Sequence, residues 1–155
     1  MKIVDCPVLS LIGISTRTKN ADEMDAATAK IMPLWQHFYQ NIYPDQLSGN
    51  IVYGVYSNYE SDASGQFDVI AAVAAKEPEG GSTQADVSFD SIELAAGRYI
   101  IFSGLMGEGN PVFQLWQQVW HYFEQADCLY QRSWKTDYEV FHQDGKIELF
   151  IGIEY

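Results

Sequence analysis

Basic residues are scarce in this sequence. Nine Lys and Arg stand against 21 Asp and Glu, for a net charge of −12 over 155 residues. The longest basic cluster is Arg17-Thr18-Lys19. A phosphate backbone or an anionic membrane surface needs a larger basic footprint than that, so neither nucleic acid nor membrane is an expected direct partner. An acidic field draws cations, small organic ones included, although acidity also simply keeps a protein in solution. Cysteine is scarce too. Cys6 and Cys128 have no metal-like or CxxC spacing, which reads as two thiols in a reducing, cytoplasmic setting. No apolar run approaches the roughly 18 residues of a membrane span. The opening Met1-Lys2-Ile3-Val4-Asp5 has no apolar stretch of the signal-peptide kind. His37, His121 and His142 are scattered with no ligand spacing, so no metal or other cofactor is expected.

What the chain does have is apolar and aromatic material. Hydrophobic residues make up 47% and charged residues 19%, a composition that folds. The length suits one domain spanning residues 1–155, since two independent halves of about 75 residues would each be marginal. Pro7 to Thr16 reads as a strand. Asn20 and Glu23 have the spacing of a capping box, and a helix is predicted from about Ala21 to Tyr43, stopped by Pro44. Pro33 inside it predicts a kink or a later start. Strands are predicted over Asn50 to Tyr59 and Phe67 to Lys76, joined by a turn at Glu60 to Gly65. Glu77 to Gln84 is rich in Gly and Pro and reads as a linker.

A second series follows. Val87 to Leu94 alternates as an edge strand, and Arg98 to Leu105 is another strand. Asn110 and Pro111 open a helix running to about Gln125. Ser133 to His142 and Lys146 to Glu154 form a hairpin around Gln143-Asp144-Gly145.

The two series repeat one another. Leu34-Trp35-Gln36 recurs as Leu115-Trp116-Gln117, and Tyr53-Gly54-Val55-Tyr56 aligns with Tyr138-Glu139-Val140-Phe141. Similar offsets in the same kind of element point to an internal duplication. The expected fold is α+β. It has two β-α-β-β units (about 1–76 and 87–155, linker about 77–86) related by pseudo-two-fold symmetry, an antiparallel sheet, two long helices and a ligand groove between the halves.

The duplication makes one position informative. A glutamate on a strand is by itself most often a solvated surface residue. Here Glu139 has Gly54 as its repeat mate. Asp137, Glu139 and Phe141 share one strand face, matched by Val52, Gly54 and Tyr56. If the two strands meet, Gly54 leaves space beside a carboxylate rimmed by Tyr56 and Phe141. Aromatic walls and one carboxylate suit a lipophilic cation, with cation–π attraction of about 0.5–2 kcal/mol per ring. Burial would raise the carboxyl pKa in the empty site. Trp35 and Trp116 lie on apolar helix stripes, where core packing and pocket lining both remain open. Trp120, Trp134, Phe102 and Phe150 are balanced in the same way. Asp137 and Glu139 also form a carboxylate pair, with no sign of acid–base geometry.

These residues carry a family resemblance. Two β-α-β-β halves, Leu94-Ala95-Ala96-Gly97-Arg98-Tyr99 entering a strand, and Asp137-Tyr138-Glu139-Val140-Phe141 near the C-terminus resemble GyrI-like small-molecule-binding domains. Such domains also serve as effector-binding domains of AraC-type and multidrug-responsive transcription regulators. The chain looks especially like the stand-alone, integron-cassette-encoded form that binds cationic drugs. The resemblance implies a non-catalytic pocket for a cationic drug- or dye-like molecule, with Glu139 as the central acid, Phe141 as a lining residue and Phe150 as a further one. It also implies two alternatives. One is a small-molecule hydrolase with Glu139 as base and Tyr56 supplying a hydroxyl. The other is a gyrase-inhibitor-like module that binds a protein partner. The chain leaves no room for a helix-turn-helix unit beside the binding domain, so DNA reading is not expected of it.

Overall fold

The computed structural model describes residues 2–40, 51–62, 64–74, 90–105, 107 and 110–154. The chain order is β1 (Lys2–Cys6), β2 (Leu9–Lys19), α1 (Asn20–Glu23), α2 (Ile31–His37), β3 (Val52–Ser57), β4 (Gln66–Ala74), β5 (Asp90–Leu94), β6 (Gly97–Leu105), α3 (Pro111–Glu124), β7 (Arg132–Phe141) and β8 (Lys146–Ile153). The expected linker at Glu77 to Gln84 and the stop at Pro44 lie outside the described residues.

Among the described residues eight strands join one sheet in the order β1-β6-β8-β7-β3-β4-β2-β5, and each of their pairings is antiparallel. The order reads as its own mirror if β7 is exchanged with β3, β8 with β4, β6 with β2 and β1 with β5. A pseudo-two-fold axis therefore passes between β3 and β7. The edge strand expected over Val87 to Leu94 is β5, at Asp90–Leu94, and residues 87–89 of that expectation lie outside the described residues. Its symmetry mate β1 was not predicted. Each of these edge strands pairs with the opposite repeat: β1 lies on β6 and β5 on β2.

Strand alternation sorts the core onto two faces. Val52, Phe67, Val69, Ala71 and Val73 lie under α2 with Leu34 and Phe38. Ile100, Phe102, Ile147, Leu149 and Ile151 lie under α3 with Leu115 and Val119. The other face gathers Leu11, Val55, Ala72, Leu94, Tyr99, Tyr138 and Val140 into one cluster. Because strands from both ends of the sheet share that cluster, the sheet is curled around it.

The helical segments of the two repeats begin differently. α3 starts as predicted, with the Asn110 side chain accepting from Phe113 N at 3.1 Å and Pro111 at its first position. The first helix is not one long element. It is broken into α1 and α2, and Pro33 sits in the first turn of α2, where its missing N–H is harmless. Asn20 is not a cap, since α1 is preceded by Lys19 with no side-chain cap. Glu23 does cap a helix, but the next one: its carboxylate accepts from Lys30 N at 2.7 Å and from Ile31 N at 2.8 Å. A negative group at free N–H donors also complements the helix dipole. Glu23→Ala is expected to lose about 1–2 kcal/mol. Thermal unfolding would read this as a Tm drop of about 2–8 °C, and an unchanged Tm would show that α2 needs no cap.

Candidate functional site

At the pseudo-axis, β3 and β7 pair so that Gly54 lies directly opposite Glu139. The glycine is required by that proximity. A Cβ at position 54 would stand 2.6 Å from Glu139 Oε1 and 3.0 Å from the Trp35 ring. The carboxylate thus occupies the space that its repeat mate vacates, on the helix-covered face. Only 2% of Glu139 is exposed.

Its partners are neutral donors. Trp116 Nε1 donates to Oε2 at 2.8 Å, and the Tyr56 hydroxyl lies 3.2 Å from both oxygens. No cationic side chain pairs with it among the described residues. Burial in apolar surroundings pushes the Glu139 carboxyl up to about 7, against the opposing pull of the Trp116 and Tyr56 hydrogen bonds. Burial, and then the nearby carboxylate, raise the Tyr56 phenol well above its ordinary range. Tyr56 therefore stays a donor at neutral pH.

An aromatic cavity of about 160 Å³ lies beside this centre. Tyr56, Tyr59, Phe67, Phe113, Trp116, Trp120 and Trp134 line it, together with Asn20, Ile31 and Arg132. The volume compares with the roughly 150 Å³ engineered cavity that takes benzene. Tyr56 and Trp116, packed edge-to-face with centroids 5.3 Å apart, belong both to the cavity wall and to the shell around Glu139. The carboxylate is therefore screened from the cavity by the two rings that hold it, rather than lying bare at its floor.

The other expected residues divide. Trp35 touches the Gly54 position, and its ring packs edge-on against Phe141 at 5.8 Å. Both flank Glu139 without lining the cavity. Phe150 is elsewhere. It pairs with Tyr138 and stacks on it at 4.5 Å, on the opposite face of the sheet from Glu139. Register parity decides this: Leu149, not Phe150, is the cross-strand partner of Glu139.

A second buried charge centre adjoins the cavity. Asp137 is fully buried and accepts from Arg132 Nη2 at 2.6 Å, from the Tyr59 hydroxyl at 2.6 Å and from Gly152 N at 2.9 Å. A bulge brings them together. Between Arg132 and Asp137, β7 advances five residues while β8 advances only from Ile153 to Ile151. Trp134, within the bulge, has φ of 54°, a left-handed conformation costing a non-glycine residue about 1–3 kcal/mol. The bulge folds across Gly152, where a Cβ would meet Thr136 O at 2.6 Å and Ser133 Oγ at 2.7 Å. The guanidinium then lies over the Trp134 ring, 3.8 Å from its centroid.

Among the described residues no group of His, Cys, Asp and Glu is placed to hold a metal ion, and no helix is long and apolar enough to cross a membrane.

Comparison with known proteins places this arrangement. An integron cassette protein from the mobile metagenome of Vibrio cholerae is 35% identical, with TM-score 0.85, covering 99% of this chain and 95% of its own. A putative bacterial transcription regulation protein from Staphylococcus aureus shares the fold at 18% identity and TM-score 0.70, over 99% of this chain and 97% of its own. A protein solved with bound tetraphenylphosphonium shares it at 23% identity and TM-score 0.70, over 99% and 93%. No protein in the curated set matches significantly. Residues 2–153 match the integron-associated effector-binding proteins, and the chain belongs to that family.

Proposed function

We propose that this protein binds a lipophilic organic cation in the aromatic cavity, with Glu139 supplying the counter-charge. One observation carries the reading: a carboxylate 2% exposed, held among the described residues by the neutral donors Tyr56 and Trp116. A buried anion without a cation is costly, and a ligand cation supplies what the fold withholds. The surrounding ring faces attract the same charge. A cation on the cavity side of Tyr56 and Trp116 lies one side chain from the carboxylate, in a low-dielectric site where Coulomb attraction is strong. A structural relative solved with tetraphenylphosphonium, itself a lipophilic cation, is consistent with this.

The cavity volume suits a single substituted ring, so the test uses benzyltrimethylammonium and its uncharged isostere neopentylbenzene. Titration followed by tryptophan fluorescence is expected to show saturable binding, with the cation favoured at least tenfold, or about 1.4 kcal/mol. Equal affinity for the two would mean that the site reads shape alone. The contact between Tyr56 and Glu139 is also what a hydrolytic site would use. Turnover of an electrophilic ester lost on Tyr56→Phe would move the reading there.

A further inference from the structure

The sheet forks at one end. The β6–β8 ladder runs only as far as the Tyr99–Gly152 pair, although β6 begins at Gly97 and β8 continues to Ile153. Beyond that pair each strand follows its other neighbour: Gly97 and Arg98 stay on β1, and Ile153 stays on Arg132 of β7. A second cavity, of about 350 Å³, opens in this fork. Gly152 lines it and shares the strand face of Phe150, away from Glu139. The β7 bulge is the wall between the two cavities. Arg132 and Trp134 line the aromatic one, whereas Ser133, Lys135 and Thr136 line the fork. Bulges commonly re-aim side chains in this way beside binding sites.

The walls of the fork combine an apolar base with separated charges. Tyr99 and Ile153, 3% and 5% exposed, form the base. Arg98 also lines the cavity, but its charge is answered by Asp5 at 3.0 Å. Lys135 and Glu154 are different. Both are exposed and line this one cavity, yet they form no ion pair with each other or with any other side chain among the described residues. The site therefore offers one accessible cation and one accessible anion, with the Ser133 and Thr136 hydroxyls beside the cation. A net charge of −12 repels a purely anionic ligand. A zwitterion escapes that repulsion and can answer both charges at once. The volume is about twice the roughly 150 Å³ that admits one benzene ring, which suits a side chain of two fused rings.

We infer that the fork binds a zwitterionic α-amino acid with a two-ring aromatic side chain. Lys135 takes its carboxylate, Glu154 takes its ammonium, and the rings rest on Tyr99 and Ile153. This inference is independent of the cation-binding reading, because the two sites lie on opposite faces of the sheet and share only the bulge.

The experiment titrates L-tryptophan and indole-3-propionate, which lacks only the ammonium, into the intact protein by calorimetry. L-Tryptophan is expected to bind saturably and about threefold tighter or more, as one ion pair at an accessible position provides. Lys135→Gln and Glu154→Gln are each expected to weaken L-tryptophan by about threefold or more. Glu154→Gln is expected to leave indole-3-propionate unchanged. Both side chains are exposed, so an unaltered Tm is expected to accompany each variant. No saturable binding of L-tryptophan overturns the inference, and so does equal or tighter binding of indole-3-propionate. An unchanged affinity for L-tryptophan in either variant overturns it as well, since binding in the aromatic cavity would give that result.

Discussion

Glu139→Gln is expected to stabilise the empty protein at about pH 8 while weakening its hold on a cation. The two effects have opposite signs because burial that makes the carboxylate useful also makes it costly. Its pKa rises from 4.5 to about 7 on folding. A carboxyl whose folded pKa lies above its unfolded value loses stability as pH rises. The loss begins near 4.5, grows until about 7 and is then complete, reaching about 3 kcal/mol above that. Glutamine cannot ionise, and its amide still accepts from Trp116 while the Tyr56 hydroxyl turns to accept from its nitrogen. At about pH 8 the variant should melt several degrees higher, up to about 10 °C. At about pH 4 the two proteins should coincide. Affinity for benzyltrimethylammonium should rise tenfold per pH unit below about 7 in the unaltered protein. The variant should bind at least tenfold more weakly at about pH 8, with no pH dependence. A variant that is less stable at every pH would show that Glu139 is a structural anchor.

Asp137→Asn should produce the largest loss of stability in the molecule. It strands the Arg132 guanidinium, 8% exposed, with no counter-charge. Breaking one side of a buried pair costs about 3–5 kcal/mol, which for a chain of this length lowers Tm by about 10 °C or more. Arg132→Met should cost a comparable amount by stranding the carboxylate, although Tyr59 and Gly152 still donate to it. The double variant should lose less than the sum of the two by at least about 1 kcal/mol, as directly coupled partners do. Strict additivity in chemical denaturation would mean that the two charges are not coupled, and that Asp137 holds the bulge through the Tyr59 hydroxyl and the Gly152 N–H.

Parts of this architecture follow from the linear sequence. The repeated Leu-Trp-Gln and the aligned Tyr53 and Tyr138 strands fix an antiparallel duplication, because an element with the same pattern buries the same face twice. Strand alternation alone puts Asp137, Glu139 and Phe141 on one side. Replacing a glycine by a glutamate at equivalent points marks where the symmetry breaks. Asn110 and Pro111 state the start of α3 in local chemistry that no tertiary contact overrides.

Other features depend on contacts that no local pattern encodes. Glu23 has the spacing to cap its own helix, yet it caps α2 instead, through the N–H groups of Lys30 and Ile31, seven and eight positions further on. Phe150 is the right residue type for a pocket, but the β7–β8 register turns it to the opposite face. Arg132 and Asp137 are five apart, so a regular strand would point them in opposite directions. Only a bulge, opened by Gly152 and held by Asp137 itself, sets them side by side. The sequence alone singled out Glu139 as the point where one repeat departs from the other, with Gly54 as its mate, and the β3–β7 pairing sets the two opposite each other. The tertiary structure decided that this charge would be screened by Tyr56 and Trp116, and that an arginine would stand across the cavity. Both depend on how distant strands and helices close over one another, and only packing sets that.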